Sequence, residues 1–238
     1  MKFEYTAEGT DNIKMPVIIA AAGSSTRMGG TNKQLADLCG KPVIVHTLSA
    51  FQKSSFISKI ILVTRQDDIP VMQKLCLEYG ITKVSDIVSG GADRLSSVLR
   101  GMEMLEKNET KVLIHDGARP LVTPAVISSC AETLTECNAC LAAVKVNDTV
   151  KRADDDGNAE KTVDRSSLYL AQTPQGVNVR IYKKTVSEND CTGLTDDAAV
   201  MELAGETVKI VPGDRINIKI TAAEDLRFAE TLVKGGAL

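Results

Sequence analysis

The chain has 238 residues, a formal net charge of −3, 43% hydrophobic and 25% charged residues, and no tryptophan. That balance builds an ordinary globular core and excludes a basic nucleic-acid or membrane-surface binder. With 3% aromatic residues it also lacks a stacking platform for single-stranded nucleic acid.

No apolar run is long enough to span a bilayer, and residues 1–14 lack the apolar stretch of a signal peptide. A cytoplasmic location is expected, with residues 1–14 as a tail ahead of one domain over 15–238. The six cysteines are scattered and read as reduced thiols.

From Pro16 to Ala22 a β-branched run and three alanines predict a buried parallel strand. Gly23, Ser24, Ser25 and Thr26 follow, then Arg27, Gly29-Gly30 and Lys33. Small residues after a strand let backbone N–H groups converge on an anion, and Arg27 and Lys33 add positive charge. The stretch reads as a triphosphate cradle, although such turns are often only turns. It is neither a Walker loop nor the G-x-G-x-x-G fingerprint.

The spacing then predicts a helix over 42–52, with Val43, Ile44, Thr47, Leu48 and Phe51 on one face and His46 packed in the core. A strand over 57–64, a helix over 69–79, a strand over 83–89 and a helix over 93–107 follow. Next come a strand over 112–115, a helix from Thr123-Pro124 to Glu136 and a strand over 141–146. Repeated βα units imply a mostly parallel sheet covered on both faces. Two short polar strands around an Asp-Gly turn make a hairpin over 147–170. It has little apolar face, so it either protrudes onto a partner or is mobile. Helices over 180–188 and 196–204, a strand over 208–211 and a final helix from Ala222 complete the pattern. Thr221 and Glu224 read as its capping box.

Ligands of open α/β sheets bind at the carboxyl ends of strands. At those ends lie Gly90-Gly91-Ala92-Asp93-Arg94 with Ser96-Ser97, where a base can lie against glycines or where a helix simply begins. His115-Asp116-Gly117-Ala118-Arg119 offers a carboxylate for Mg2+ on phosphates and an Arg fork for a second phosphate. Gln172-Thr173-Pro174-Gln175 is polar and rigid, and Thr195-Asp196-Asp197 reads as a helix cap. Lys219 alternates with isoleucines and is placed to reach a site. Cys137 and Cys140 form a CxxC with no second pair for zinc.

The runs AAAGSSTRMG, SGGADRLSSV, HDGARP, NDTVKR, TVDRSSLYLAQTPQ, LTDDA and NIKIT occur in one order over about Val17–Ala229. In this the sequence resembles the 2-C-methyl-D-erythritol 4-phosphate cytidylyltransferases. The resemblance implies a Rossmann-like α/β fold of nucleotidyltransferase type, its mostly parallel sheet flanked by helices, with a protruding β-hairpin arm. It implies a homodimer through that arm. The reaction it implies is Mg2+-assisted transfer of CMP from CTP to a sugar-alcohol phosphate.

By the same resemblance Ala21, Ala22 and Gly23 contact CTP by backbone, and Gly91 and Ser97 sit at the cytosine. Arg27, Lys33 and Lys219 stabilise charge at the α-phosphorus, and Asp116 binds the metal. Arg119, Thr149, Arg165, Thr173 and Thr195 line the acceptor site with Lys219. Ala92 stands where a relative has Asp near the base, and Ser24-Ser25-Thr26 replaces a more Gly-rich loop. A ribitol 5-phosphate cytidylyltransferase and a non-catalytic nucleotide binder on the same fold are the competing readings.

Overall fold

A computed structural model describes residues 13–23 and 32–236. In chain order the elements are β1 (Met15–Ala20), the short pair β2 (Asp37–Leu38) and β3 (Lys41–Pro42), α1 (Val43–Lys53), β4 (Ile57–Thr64), α2 (Ile69–Glu78) and β5 (Val84–Ser89). Then follow α3 (Arg94–Glu103), β6 (Lys111–Asp116), α4 (Pro124–Glu136), β7 (Ala139–Lys145), β8 (Val150–Ala153) and β9 (Ala159–Val163). The chain closes with β10 (Tyr169–Asn178), α5 (Val179–Glu188), α6 (Asp197–Leu203), β11 (Val208–Pro212) and α7 (Ala223–Lys234).

One seven-stranded sheet runs β11-β7-β10-β6-β1-β4-β5. β1 lies parallel to both β4 and β6, β4 to β5, and β7 to β11, so the sheet is mostly parallel. Side chains alternate across a strand, and β1 shows why the sheet has two covered faces. Val17 and Ile19 pack with α1, α2 and α4, through Leu48, Phe51, Met72 and Ile127. Ile18 packs on the opposite face with α3, α5 and α6, through Val98, Tyr182 and Met201. Each such buried side chain contributes about 1.5–3 kcal/mol relative to exposure. No helix among the described residues is long and apolar enough to cross a membrane.

The strand over 57–64 coincides with the sequence expectation at both ends, and most other elements agree within a few residues. The helix expected to reach Lys107 stops at Glu103, where Lys59 donates to the Met104 carbonyl and pairs with Glu109. His46 is half-buried rather than a core residue, and its Nε2 bonds the Leu38 carbonyl at 2.8 Å. The N-terminus of α7 is closed by Asp225, not Glu224: its carboxylate accepts from the N–H groups of Thr221 and Ala222.

The larger difference is β10. Residues 169–178 read as the tail of a hairpin and a polar loop, yet they form a long strand antiparallel to both β6 and β7. Its polar residues misled the pattern, because Gln172, Thr173 and Gln175 are buried and bonded inside the protein rather than solvated. Pro174 is tolerated because the pairing with β7 breaks between Ala171 and Gln175.

The hairpin arm exists as β8 and β9, paired Val150 to Val163 around a turn in which Asp154 accepts from the N–H groups of Asp156 and Asn158. Nearly every arm residue from Asn147 to Ser167 is exposed.

Candidate active site

β1, β4, β5 and β6 run parallel and end at one rim, where a twisted sheet opens its binding crevice. Two adjoining cavities lie there. The first, about 420 Å³, is lined by Ala22, Gly23, Lys33 and Gln34 on one side and by Gly91, Ala92 and Ser97 on the other. The second, about 190 Å³, is lined by Arg119, Thr173, Thr195 and Asp196. Arg94, Asp116 and Lys219 border both. A larger hollow of about 670 Å³ between α2 and β5 is lined by Cys76, Leu77, Ile81 and Ile87. No charged side chain among the described residues borders it.

The wall of the first cavity is a backbone surface held by α3. Gly90 donates to the Thr64 carbonyl, and a Cβ there would sit 2.4 Å from Cβ of Ala22, so only glycine allows this approach. The Gly91 N–H donates to Ser97 Oγ at 3.0 Å, and that hydroxyl donates in turn to the Asp93 carbonyl at 2.7 Å. Asp93 caps α3 by accepting from the Ser96 N–H. Ser97 therefore shapes the glycine wall, with its proton committed to Asp93. Ala21 is set back from the cavity: its N–H donates to the Val63 carbonyl and continues the sheet. Ala20, Ala22 and Gly23 supply the lining instead.

Asp116 ends β6 and stands where the cavities meet. Its Oδ1 takes Arg94 Nε at 3.3 Å, and its Oδ2 takes Lys219 Nζ at 2.9 Å and Arg119 Nε at 3.4 Å. Burial opposes its charge, but Lys219, Arg94 and Arg119 outweigh burial and hold the carboxyl far below the usual range. Arg94 is anchored from behind: its Nη2 meets Asp197 at 2.6 Å, and buried Tyr182 donates to the same carboxylate at 2.9 Å. Arg119 is fixed by the Asn217 carbonyl at 2.8 Å.

β10 explains why this cluster is rigid. The Asp116 N–H donates to Thr173 Oγ1, whose proton points to His115 Nδ1, and His115 Nε2 donates to the Arg119 carbonyl. Gln175 receives the N–H groups of Asp197 and Ala198, and Gln172 holds Asp214. Asp196 caps α6 through the Ala199 N–H. The sequence analysis names Arg94 only as part of a strand-end loop and Asp197 only as part of a helix cap, and it singles out neither Tyr182 nor Gln34. Arg94 had a signal, since it directly follows the Asp that caps α3. Asp197 had none, because its partner lies 103 positions away.

Among the residues expected at the site, Arg27 lies outside the described residues. Lys33, Ala22, Gly23, Gly91, Ser97, Asp116, Arg119, Thr173, Thr195 and Lys219 border the two cavities. Thr149 and Arg165 do not: both are exposed on the arm, and Arg165 donates to the Asn147 carbonyl at the arm's base.

The family model described as 2-C-methyl-D-erythritol 4-phosphate cytidylyltransferase, IspD, matches residues 15–235. The chain is 41% identical to the protein of that name from Trichormus variabilis, covering 92% of this chain and 97% of the relative. It is 44% identical to the one from Dehalococcoides mccartyi, covering 94% and 98%. The 4-diphosphocytidyl-2C-methyl-D-erythritol synthase structure from Anaerococcus prevotii superposes with a TM-score of 0.81 at 31% identity, covering 94% of this chain and 98% of that one. The chain belongs to the 2-C-methyl-D-erythritol 4-phosphate cytidylyltransferase family. It is an enzyme, a cytidylyltransferase, and these relatives name methylerythritol phosphate rather than a pentitol phosphate as the acceptor.

A cytidylyltransferase of this family calls for a test of metal fit. The described residues contain no cluster of three or more His, Cys, Asp or Glu side chains. Among the described carboxylates only Asp116 borders both cavities, so an ion there would draw that one protein carboxylate and complete its shell with phosphate and water. That is the habit of Mg2+, and the residues fit it. Cys137 caps α4 with its thiol near two carbonyls, and no metal partner joins it.

His115 gives the cytidylyltransferase an acid limit. Burial lowers its pKa to about 3, well under the 6.5 of an exposed histidine. Between those values the unfolded chain binds one more proton than the folded one. Stability is therefore complete above about pH 6.5 and falls on acidification, by at most about 1.4 kcal/mol per pH unit from this residue. The Tm should drop between pH 7 and pH 5, and His115→Gln should flatten that drop. An unchanged slope in the variant would remove His115 as its source.

Proposed function

We propose that the two cavities hold the two substrates and that their shared border is the reaction centre. CTP occupies the cavity of Gly91 and Lys33, with its base on the glycine wall and backbone of Ala22 and Gly23 near the phosphates. 2-C-methyl-D-erythritol 4-phosphate occupies the cavity of Arg119, Thr173 and Thr195. The observation that carries this reading is that Arg94, Asp116 and Lys219 border both cavities. A phosphate from each side would meet there.

A phosphate oxygen of the acceptor attacks the α-phosphorus of CTP in line. The bond from α-phosphorus to the bridging oxygen breaks, and pyrophosphate leaves with the electron pair. The other product is 4-diphosphocytidyl-2-C-methyl-D-erythritol. No protein nucleophile is required, because positioning and charge stabilisation suffice. Lys33 and Lys219, with Arg27, neutralise charge that grows at the α-phosphorus. Asp116 would hold Mg2+, which when bound offsets the charge of the phosphates. Both substrates are small ionised phosphates, which suits a cytoplasmic reaction.

We further propose a homodimer in which the arm completes the partner's site. Tyr169 is 38% exposed and Ile210 49%, and both line one open hollow at the arm's base. The polar arm has little to bury against its own chain. A two-fold partner covers such surfaces, and it would carry Thr149 and Arg165 to the acceptor.

Pyrophosphate release from CTP, measured in parallel with methylerythritol phosphate and ribitol phosphate, tests the reaction. Release is expected with the first acceptor only. Release with neither would favour a nucleotide-binding protein without turnover, and equal release would break the acceptor assignment.

A further inference from the structure

Asp68 carries a buried carboxylate that its own helix does not use. The residue is 8% exposed and stands immediately before α2, at the end of a short 3₁₀ helix (Gln66–Asp68) that follows β4. An aspartate at that position ordinarily accepts backbone N–H groups of the helix it precedes. Asp68 makes no such side-chain cap bond. Its oxygens are engaged elsewhere. Arg65 grips both, Nη2 on Oδ1 at 3.1 Å and Nε on Oδ2 at 2.7 Å. Oδ2 also accepts from Asn32 Nδ2 at 2.9 Å, across 36 positions of sequence.

The other end of Asn32 shapes the backbone that carries Lys33. Asn32 Oδ1 accepts from the Gln34 N–H at 3.1 Å, and the Asn32 carbonyl accepts from the Leu35 N–H at 3.0 Å. Lys33 lies inside the turn that these two bonds close, and it borders the first cavity with Gly23 and Gly91. The Gln34 carbonyl, accepting from the Ile44 N–H at 3.0 Å, holds the far side of the turn. Asn32 thus closes the turn of Lys33 and ties it to the carboxylate beyond the end of β4. A bond to a carboxylate is roughly twice as strong as one between neutral groups, and the Arg65 fork fixes how that carboxylate is turned.

We propose that Asp68 is a positioning residue for the reaction, holding the turn of Lys33 in place through Asn32. The inference rests on the reading that Lys33 stabilises charge at the α-phosphorus. A lysine has a flexible four-carbon stem and no fork of its own, so the fold controls its reach through its backbone. A misplacement of about 1 Å at a reacting centre can cost about 10²-fold.

The test measures kcat, KM for CTP and Tm with methylerythritol phosphate as acceptor. Asp68→Asn leaves two donors, Asn32 and Arg65, competing for one amide oxygen. Asn32→Asp sets two carboxylates against each other. Each should lower kcat about tenfold and change KM for CTP less, because Lys33 acts on the transition state. The two substitutions combined restore one amide facing one carboxylate and should recover most of kcat. A bond that only stabilises the fold would also be rescued, so the deciding comparison is made in Lys33→Ala. There Asp68→Asn should lower Tm as it does in the wild-type background and lower kcat no further, since the group it positions is already gone. A further tenfold loss in that background would overturn the proposal, and so would wild-type kcat in both single variants. Should Asp68→Asn fail to fold, Asn32→Ala removes the same bond from a partly buried position and faces the same comparison. Wild-type turnover in Lys33→Ala would refute the role of Lys33 and this proposal with it, a result distinct from the other two.

Discussion

Asp116→Asn should remove nearly all turnover and lower the Tm together. Three cationic groups lie within 3.4 Å of this carboxylate, which is 6% exposed as a residue. Asparagine keeps the shape and removes the charge. Arg94 still has Asp197, but Arg119 and Lys219 lose the carboxylate they share. Breaking a buried ion pair from one side costs about 3–5 kcal/mol, and the partial exposure of Lys219 places the loss toward the lower end of that range. Catalysis should fall by roughly 10²–10³, the scale of a lost electrostatic contact at the reacting centre. Raising Mg2+ should restore only part of it, because the proposed protein ligand is weakened. Measurements of kcat, Tm and the Mg2+ dependence settle the matter. A variant with wild-type Mg2+ dependence would refute the metal role, and one with wild-type Tm would refute the charge argument.

Mixing two inactive variants, Lys33→Ala and Arg165→Ala, should return about a quarter of wild-type sites. Lys33 borders the nucleotide cavity, whereas Arg165 is exposed on the arm and absent from both cavities of its own chain. If the arm serves the partner, each working site takes Lys33 from one chain and Arg165 from the other. In a mixed dimer one site then carries both defects and the other carries none. Random exchange makes half the dimers mixed, and one site in two of those is intact. Sites built from a single chain would each keep a defect, and no activity would return. Co-purification through two different tags confirms that exchange took place. Confirmed mixed dimers without recovered activity would eliminate the shared site.

Much of this arrangement was legible in the chain because the signals are local. The run Val17-Ile18-Ile19 declares a strand buried on both faces, and both faces are indeed covered. Asp116 ends an apolar strand beside a glycine, and Lys219 alternates with isoleucines, so each could be placed near the rim from its neighbours alone. The helix cap at Asp93 and the turn at Asp154 rest on side chains that bond backbone within four residues. Such patterns require no knowledge of the rest of the fold.

The remainder depended on contacts between residues distant in sequence. β10 is polar where a buried strand should be apolar, and its polarity makes sense only once Thr173 is seen to bond His115 and the Gln175 and Gln172 side-chain oxygens are seen to accept from the N–H groups of Asp197 and Asp214. Arg94 became part of the site because Asp197 and Tyr182, on α6 and α5, hold it against Asp116. Hydrophobic spacing and capping residues determined the strands, the helices and the strand ends that carry charge. Tertiary packing decided which of those charges share a border, because Coulomb energy and hydrogen bonding depend on distance in space and not on separation along the chain.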